Sequence, residues 1–210
     1  PCFGQELEWI MLSALHQIRK RGQSTYLRLT SKPVDQNLLQ LPSDALKIDL
    51  LRLQVLKGAY CLRDRTADSF TKGDGDRITI VSVGAMIPEA CEASDILLEE
   101  GVLANVINVT GPGPLYRHYR DIVKGSIEKG YGLSEGLASL LPGHIEGSPI
   151  LTLADAHPHS LSWIGGALGT RTVSLGVDDW GQSGSREDLY REYGIDVDTI
   201  VNAALSALEL

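Results

Sequence analysis

Residues 77–110, RITIVSVGAMIPEACEASDILLEEGVLANVINVT, carry the pattern that decides the fold. The segment RITIVSVG (77–84) predicts a buried strand, because β-branched residues fill it between two turn signals. PEACEASDILLEEG (88–101) predicts a helix, and ANVINVT (104–110) predicts a second strand. The apolar face of this helix contains Ile87, Ala90, Cys91, Ser94, Leu97 and Leu98. A strand, a helix and a strand in succession predict an α/β fold with a mostly parallel sheet.

The same alternation continues on both sides of this segment. Strands are predicted at 55–64, 149–155 and 171–177, and helices at 114–127, 160–169, 185–193 and 197–208. We therefore predict a three-layer αβα domain over residues 55–210, built on a five-stranded sheet.

The first 54 residues do not follow this alternation. Residues 6–21 predict an amphipathic helix that ends at Gly22, and TYLRLT (25–30) predicts a strand. This pair has too little surface to form a domain, so residues 1–31 are interpreted as the end of a preceding domain. Residues 32–54, with Pro33 and Pro42 and no clear period, are interpreted as a linker. Because residue 1 is Pro and not Met, we expect the chain to be a piece of a longer polypeptide.

Composition narrows the class of protein. The chain has 19 Lys and Arg against 27 Asp and Glu, a formal charge of −8, which argues against nucleic acid as a partner. No apolar run approaches the roughly 20 residues that span a bilayer, so no membrane association is expected. Cys2, Cys61 and Cys91 are scattered and few, which indicates free thiols and a cytoplasmic location.

Two glycine-rich segments resemble ligand-binding motifs. KGDGDR (72–77) contains a Gly-Asp-Gly that could hold a metal and a diphosphate, but it precedes a strand, and a tight turn is the preferred interpretation. TGPGPLYR (110–117) opens a helix after a strand, where free N–H groups could face an anion. Pro112 and Pro114 remove two of those donors, so structural capping is preferred there. No residue is assigned to a cofactor or a metal.

DAHPHS (155–160) is the strongest local candidate for a functional site. It follows a predicted strand, at the edge where functional groups gather in open α/β sheets. His157 and His159 are two residues apart and should point to different sides of an extended segment, which disfavours shared metal chelation. The alternative is that His159 or Ser160 caps the next helix and His157 packs in the loop.

LGVDDWGQSGSREDLYREYGID (175–196) predicts a strand–helix–helix joint. Ser185 suits the N-cap of one helix with Asp188 three positions later, Gly194 ends that helix, and Asp196 caps the next.

This stretch resembles the C-terminal signature of transketolase-like, thiamine-diphosphate-dependent enzymes. Its Ser-Arg-Glu form, SGSRED (183–188), is most similar to the homodimeric E1 component of 2-oxo acid (pyruvate) dehydrogenase complexes. Residues 83–117 also resemble the C-terminal domain of that E1, with Gly111 where the family pattern has Ser. ELEWIMLSALHQIRKRGQSTYLRLTSKP (6–33) resembles the end of the preceding pyrimidine-binding domain.

The resemblance implies a mixed sheet in which one edge strand, at 55–64, runs antiparallel to the rest. It implies a parent enzyme that decarboxylates a 2-oxo acid such as pyruvate and acylates a lipoyl group. Thiamine diphosphate and Mg would be bound by domains outside this chain. The partners implied are a second copy, as a homodimer, and the lipoyl-bearing acyltransferase of the complex.

The alternatives are a transketolase, which transfers ketol groups between sugar phosphates, and a non-catalytic assembly module. The piece alone is expected to be inactive, with His157 and His159 as its candidates near the substrate channel.

Overall fold

The structure is a computed structural model that describes residues 1–67, 75–130 and 132–209. The first half of the predicted turn at Lys72–Arg77, residues 72–74, therefore lies outside the described residues. The helices longer than one turn are α1 Gly4–Arg21, α2 Ala45–Lys57, α3 Ile87–Glu99, α4 Pro112–Lys129, α6 His159–Leu168, α7 Arg186–Glu192 and α8 Val197–Glu209, and α5 is the single turn Ser134–Leu137. No helix within these ranges is both long enough and apolar enough to cross a lipid bilayer.

Five strands form one mixed sheet, as predicted. They are β1 Ala59–Arg63, β2 Arg77–Val83, β3 Leu103–Val109, β4 Ile150–Leu153 and β5 Thr172–Leu175, in the order β1-β3-β2-β4-β5. Among the described strands, β1 alone runs antiparallel, pairing Ala59 with Val109, while β3, β2, β4 and β5 are parallel to one another. The strand–helix–strand unit at 77–110 supplies the two central strands, which explains why that segment decides the fold.

Helices cover both faces of the sheet, which confirms the three-layer arrangement. One face packs against α3 and α8 in a core that includes Ile80, Leu97 and Ala204, and Phe3 from the amino-terminal segment joins it. The other face packs against α4 and α6 through Val81, Leu115 and Ile164. Burial of these aliphatic side chains is the main stabilising contribution of such a core.

A buried polar network fixes α1 to the sheet. The carboxyl group of Glu6, fully buried, accepts hydrogen bonds from the backbone N–H groups of Cys2 (2.7 Å) and Phe3 (3.0 Å). It also accepts from the Tyr60 hydroxyl on β1 and from Asn108 Nδ2 on β3, each at 2.7 Å. The amino-terminal helix is thus hydrogen-bonded to the sheet that follows it.

In the first 58 residues, the predicted strand at 25–30 and the predicted start of β1 at residue 55 are wrong. Residues 25–30 form no strand, because no neighbouring strand among the described residues pairs with them, and most of them are exposed. The segment interpreted as a linker, 32–54, contains most of α2, which Asp44 caps by accepting from the Lys47 N–H at 3.0 Å. α2 extends to Lys57, so β1 begins at Ala59 and not at residue 55. The domain boundaries at 31 and 54 stay a prediction.

Candidate functional site

The carboxyl edge of the sheet brings together segments from distant parts of the sequence. The loop after β4 (154–158) lies beside the end of β5, where the Val177 N–H donates to the Ala156 carbonyl at 3.0 Å. Gly176 permits this approach, because a Cβ there would lie 2.4 Å from the Ala156 oxygen. The predicted candidates His157 and His159 are on this loop and at the start of α6.

The two histidines lie together, and the prediction that they point to different sides is wrong. Their ring centroids are 4.8 Å apart at an interplanar angle of 63°, and both residues are exposed. The cause is Pro158, whose φ of −57° and ψ of −27° are helical, so the chain turns where an extended segment was assumed.

The start of α6 is capped differently from the prediction. The His157 Nδ1 atom accepts a 3.3 Å hydrogen bond from the His159 N–H, so the cap comes from His157 and not from His159 or Ser160. The Ser160 hydroxyl oxygen is buried and has no hydrogen-bond partner among the described residues. Because Nδ1 accepts this hydrogen bond, its lone pair is used within the protein.

Two other kinds of site can be compared with the described residues, namely a metal cluster and the anion site at the start of α4. Within the described ranges, no three or more His, Cys, Asp or Glu side chains lie close enough together to hold a metal ion. At the start of α4, the N–H groups of Thr110 and Gly111 donate to the Gly58 carbonyl at 2.9 and 3.3 Å. Two amides of that helix start are therefore used by the protein itself, as the capping interpretation requires.

Next to the histidine loop lies an ion pair that the sequence did not indicate. Lys32 Nζ donates to the Ala85 carbonyl at 2.8 Å and to both carboxylate oxygens of Glu89, with Oε2 at 2.6 Å. The side chains of Lys32 and Glu89 are only 11% and 16% exposed. The Lys32 ammonium also lies 5.2 Å from the ring centroid of Tyr190 on α7, in cation–π geometry. One lysine thus connects the segment before α2, the start of α3 and the C-terminal helices.

Burial shifts the titration of the groups around this ion pair. It raises the pKa of the Asp155 carboxyl, against the opposing charges of Arg28 and Lys32. Burial also raises the pKa of the Tyr190 phenol to about 12, and the negative charges of Glu89 and Asp155 add to the rise. Tyr190 is consequently a neutral hydroxyl at physiological pH.

The ion pair between Lys32 and Glu89 has a structural role at this end of the sheet. The three N–H donors of Lys32 match the three acceptors that contact it, so the ammonium is fully engaged within the protein. Lys32, Glu89 and Tyr190 come from three separate segments, and although Tyr190 lies in the joint at 175–196, no local pattern indicates that the three side chains meet. The only available signal was the position of Glu89 just after a predicted buried strand.

Replacing Lys32 by Met should lower the free energy of unfolding by about 2 kcal/mol, because Glu89 is left nearly buried without its cation. Hydrogen exchange should also become faster in residues 22–34. Chemical denaturation and exchange mass spectrometry measure both effects. Lys124→Met is the matched control, since the Lys124–Glu128 pair is 3.8 Å long and its side chains are 76% and 62% exposed. That change should cost no more than about 0.5 kcal/mol, and equal losses in the two variants would contradict the prediction.

The joint at 175–196 is built as predicted. Ser185 Oγ accepts from the Asp188 N–H at 3.1 Å, Gly194 ends the turn after α7 with φ of 60°, and Asp196 accepts from the Thr199 N–H at 3.2 Å. The loop before α7 is held by Tyr193, whose hydroxyl donates to the Trp180 carbonyl and accepts from the Gln182 N–H. Trp180 itself is 90% exposed.

Known proteins resemble this chain over most of its length. A family model described as the transketolase-like TK C-terminal domain matches residues 58–196. A plasmid-encoded transketolase of Cupriavidus necator is 26% identical over 212 residues, covering 100% of this chain and 25% of that protein. The pyruvate dehydrogenase E1 component of Mycolicibacterium smegmatis is 26% identical over 219 residues, covering 99% of this chain and 22% of that protein. The chain thus spans about a quarter of the length of these relatives.

Two further matches agree with this pattern. The 1-deoxy-D-xylulose-5-phosphate synthase of Thermomicrobium roseum is 34% identical over 137 residues, covering 64% of this chain and 20% of that protein. The crystal structure of a transketolase from Campylobacter jejuni superimposes with a TM-score of 0.51 at 20% identity, covering 80% of this chain and 20% of that one. The structural match supports the fold alone.

Proposed function

The chain belongs to the transketolase-like TK C-terminal domain family, and we propose that it acts as the C-terminal part of a thiamine-diphosphate-dependent enzyme. In this proposal the complete enzyme is an E1 component. It decarboxylates a 2-oxo acid such as pyruvate and transfers the acyl group to the lipoyl group of an acyltransferase. Support comes from the Ser-Arg-Glu form of the joint at 183–188 and from the E1 relative, which aligns with 99% of the chain.

A transketolase is the second candidate. The Cupriavidus necator transketolase aligns with the whole chain at the same 26% identity as the E1 relative. Both candidates place the reaction on thiamine diphosphate and differ in the acceptor, which is a lipoyl group in one and a sugar phosphate in the other.

The role of this chain within the enzyme is structural. The observation that carries this proposal is the engagement of the Lys32 ammonium by Ala85 and Glu89, because all three of its N–H donors are used within the protein and none is left for a substrate. The described residues also do not fit thiamine diphosphate, since the amides at the start of α4 already bind the Gly58 carbonyl. The cofactor and its Mg would therefore be held by domains outside residues 1–210, in a cytoplasmic homodimer.

The amino-terminal segment is proposed to belong to the preceding pyrimidine-binding domain. α1 exposes Met11, Leu15 and Ile18 at positions i, i+4 and i+7, each 48% to 60% exposed. Such an apolar stripe is typical of a surface that is covered in the complete protein. The exposed His157 and His159 are proposed to line the rim of the substrate channel.

Calorimetry tests whether thiamine diphosphate and Mg²⁺ are bound by domains outside this chain. Titration of this chain with thiamine diphosphate and Mg²⁺ should give no binding heat, because no group of three or more His, Cys, Asp or Glu side chains among the described residues could hold the metal ion. The control is the full-length enzyme under the same conditions, which should bind with a stoichiometry of one per chain. Stoichiometric binding to residues 1–210 would overturn the proposed division.

The reaction is decided by assaying the full-length enzyme. Release of CO₂ from pyruvate with acylation of a lipoyl domain supports the E1 proposal, and ketol transfer between sugar phosphates without decarboxylation supports transketolase. In that enzyme, His157→Ala should raise KM with little change in kcat if the histidine lines the channel rim. An unchanged KM would remove His157 from the channel.

A further inference from the structure

Helix α2 has two apolar faces, and only one of them is packed. Ile48, Leu51 and Val55 turn inward and pack in a small cluster with Trp9 and Tyr60. On the opposite side, Leu46, Leu50 and Leu53 are 79%, 56% and 58% exposed. Their spacing of i, i+4 and i+7 places them in one row along the helix. A row of exposed leucines on a helix indicates a surface that a partner covers.

A cavity of about 300 Å³ adjoins this row. Leu50, Leu53 and Lys57 of α2 form one wall, and the rest is mainly Ala59, Leu140 and Pro142. Buried anchor side chains at protein interfaces commonly fill such concave apolar sites. The leucine row and the cavity together form what we call the α2 groove.

Cations outnumber acids on α2 although the protein is acidic, with Lys57 lining the cavity and Lys47 and Arg52 on the two flanks of the leucine row. Lys47, Arg52 and Lys57 accompany a single acid, Asp49, on α2, and within the described residues none of these three cations forms an ion pair. The imbalance extends to the whole amino-terminal segment. Residues 1–57 contain 8 Lys and Arg against 5 Asp and Glu, a charge of +3, and residues 58–210 contain 11 against 22, a charge of −11.

We propose that the α2 groove binds an acidic amphipathic helix of a partner protein. The aliphatic stripe of such a helix would cover Leu46, Leu50 and Leu53 and place one large side chain in the cavity. Its Glu and Asp residues would face Lys47, Arg52 and Lys57, which gives charge complementarity and orientation. The row from Leu46 to Leu53 is about 10 Å long, so a partner helix of three turns is sufficient.

Charge argues against a second copy as the occupant. Two α2 helices facing each other would bring Lys47, Arg52 and Lys57 against the same cations of the other chain, which is unfavourable. An anionic membrane is also disfavoured, because the concave cavity at one end of the row suits a protruding side chain better than a flat lipid surface. The proposal goes beyond the enzymatic function proposed above and does not depend on it.

The test uses the chain as it is and a defined probe. The probe is a fluorescein-labelled helical peptide with leucines at every third or fourth position and glutamates between them, and a matched peptide carries lysines in place of the glutamates. Fluorescence anisotropy should show binding of the glutamate peptide that weakens with salt, and little binding of the lysine peptide. Leu53→Gln and Arg52→Glu should each weaken binding at least about tenfold.

The control variant is Ile127→Gln, an equally conservative change at a residue of α4 that is 76% exposed. It should leave the affinity unchanged, and circular dichroism should show that all three variants are folded. Equal binding of both peptides, or an unchanged affinity in Leu53→Gln, would overturn the proposal. A dimer in sedimentation that Leu53→Gln dissolves would place a second copy in the groove. Flotation with phosphatidylglycerol vesicles that Leu53→Gln abolishes would place a membrane there, and either result also overturns it.

Discussion

Gly58→Ala is expected to lower the free energy of unfolding by about 4 kcal/mol, although the change adds a single methyl group. Gly58 has a backbone φ of 115°, which residues other than Gly rarely adopt. A Cβ at this position would lie 2.6 Å from the Leu115 backbone nitrogen and 2.7 Å from the Gly111 carbonyl oxygen. Because both contacts are backbone atoms at the start of α4, neither can be relieved by a rotamer change.

The Gly58 carbonyl also accepts from the N–H groups of Thr110 and Gly111, so a shift of residue 58 weakens those bonds as well. Urea denaturation measures the loss. The matched control is Gly22→Ala at the end of α1, where φ is 63° but no atom lies within 4 Å of the added Cβ. That variant should lose only about 1 kcal/mol. Similar losses in both would show that backbone conformation, and not the close approach to α4, makes Gly58 necessary.

Replacing Glu6 by Ala should lower the free energy of unfolding by about 3 kcal/mol. The change removes the acceptor for four donors, namely the Cys2 and Phe3 amides, the Tyr60 hydroxyl and Asn108 Nδ2. Buried donors left without an acceptor cost about 1–3 kcal/mol each, offset in part where water enters. Hydrogen exchange should rise across α1, since its contact with β1 and β3 depends on this carboxyl group.

Tyr60→Phe is the informative companion, because it removes one donor and leaves three. It should cost about 1 kcal/mol, and in the double variant the two losses should not add, since the hydroxyl and the carboxyl contact each other directly. Simple additivity would show that Tyr60 and Glu6 act independently.

Particular segments show how far the sequence could predict the fold. The strands at 77–83 and 103–109 were predictable because they are central and buried on both faces, so their composition alone identifies them. α2 was not, because leucines on both of its faces remove the period that identifies an amphipathic helix. Residues 25–30 had the composition of a strand, but a strand exists only where a neighbour pairs with it, and composition does not contain that information.

The candidate site was less predictable than the fold. The position of His157 and His159 after β4 followed from the alternation of strands and helices, but their contact depends on the helical conformation of Pro158. Lys32 lies 57 residues from Glu89 in sequence, and their pairing arises only when the segment before α2 folds back over α3. Contacts of this kind depend on tertiary structure and have no local signature.

The direction of β1 has a topological consequence. Because Ala59 pairs with Val109, the chain enters β1 beside the carboxyl end of β3. The same end of the strands carries His157, His159 and the loop before α7. If β1 were parallel to β3, the first 58 residues would precede it at the opposite end of the strands, about five residues away. The buried Glu6 carboxyl accepts a hydrogen bond from Asn108, close to the end of β3, so the start of α1 lies at this same end of the strands. The antiparallel direction of one short strand and this hydrogen bond together place the amino-terminal helix start at the end of the sheet that carries the histidines.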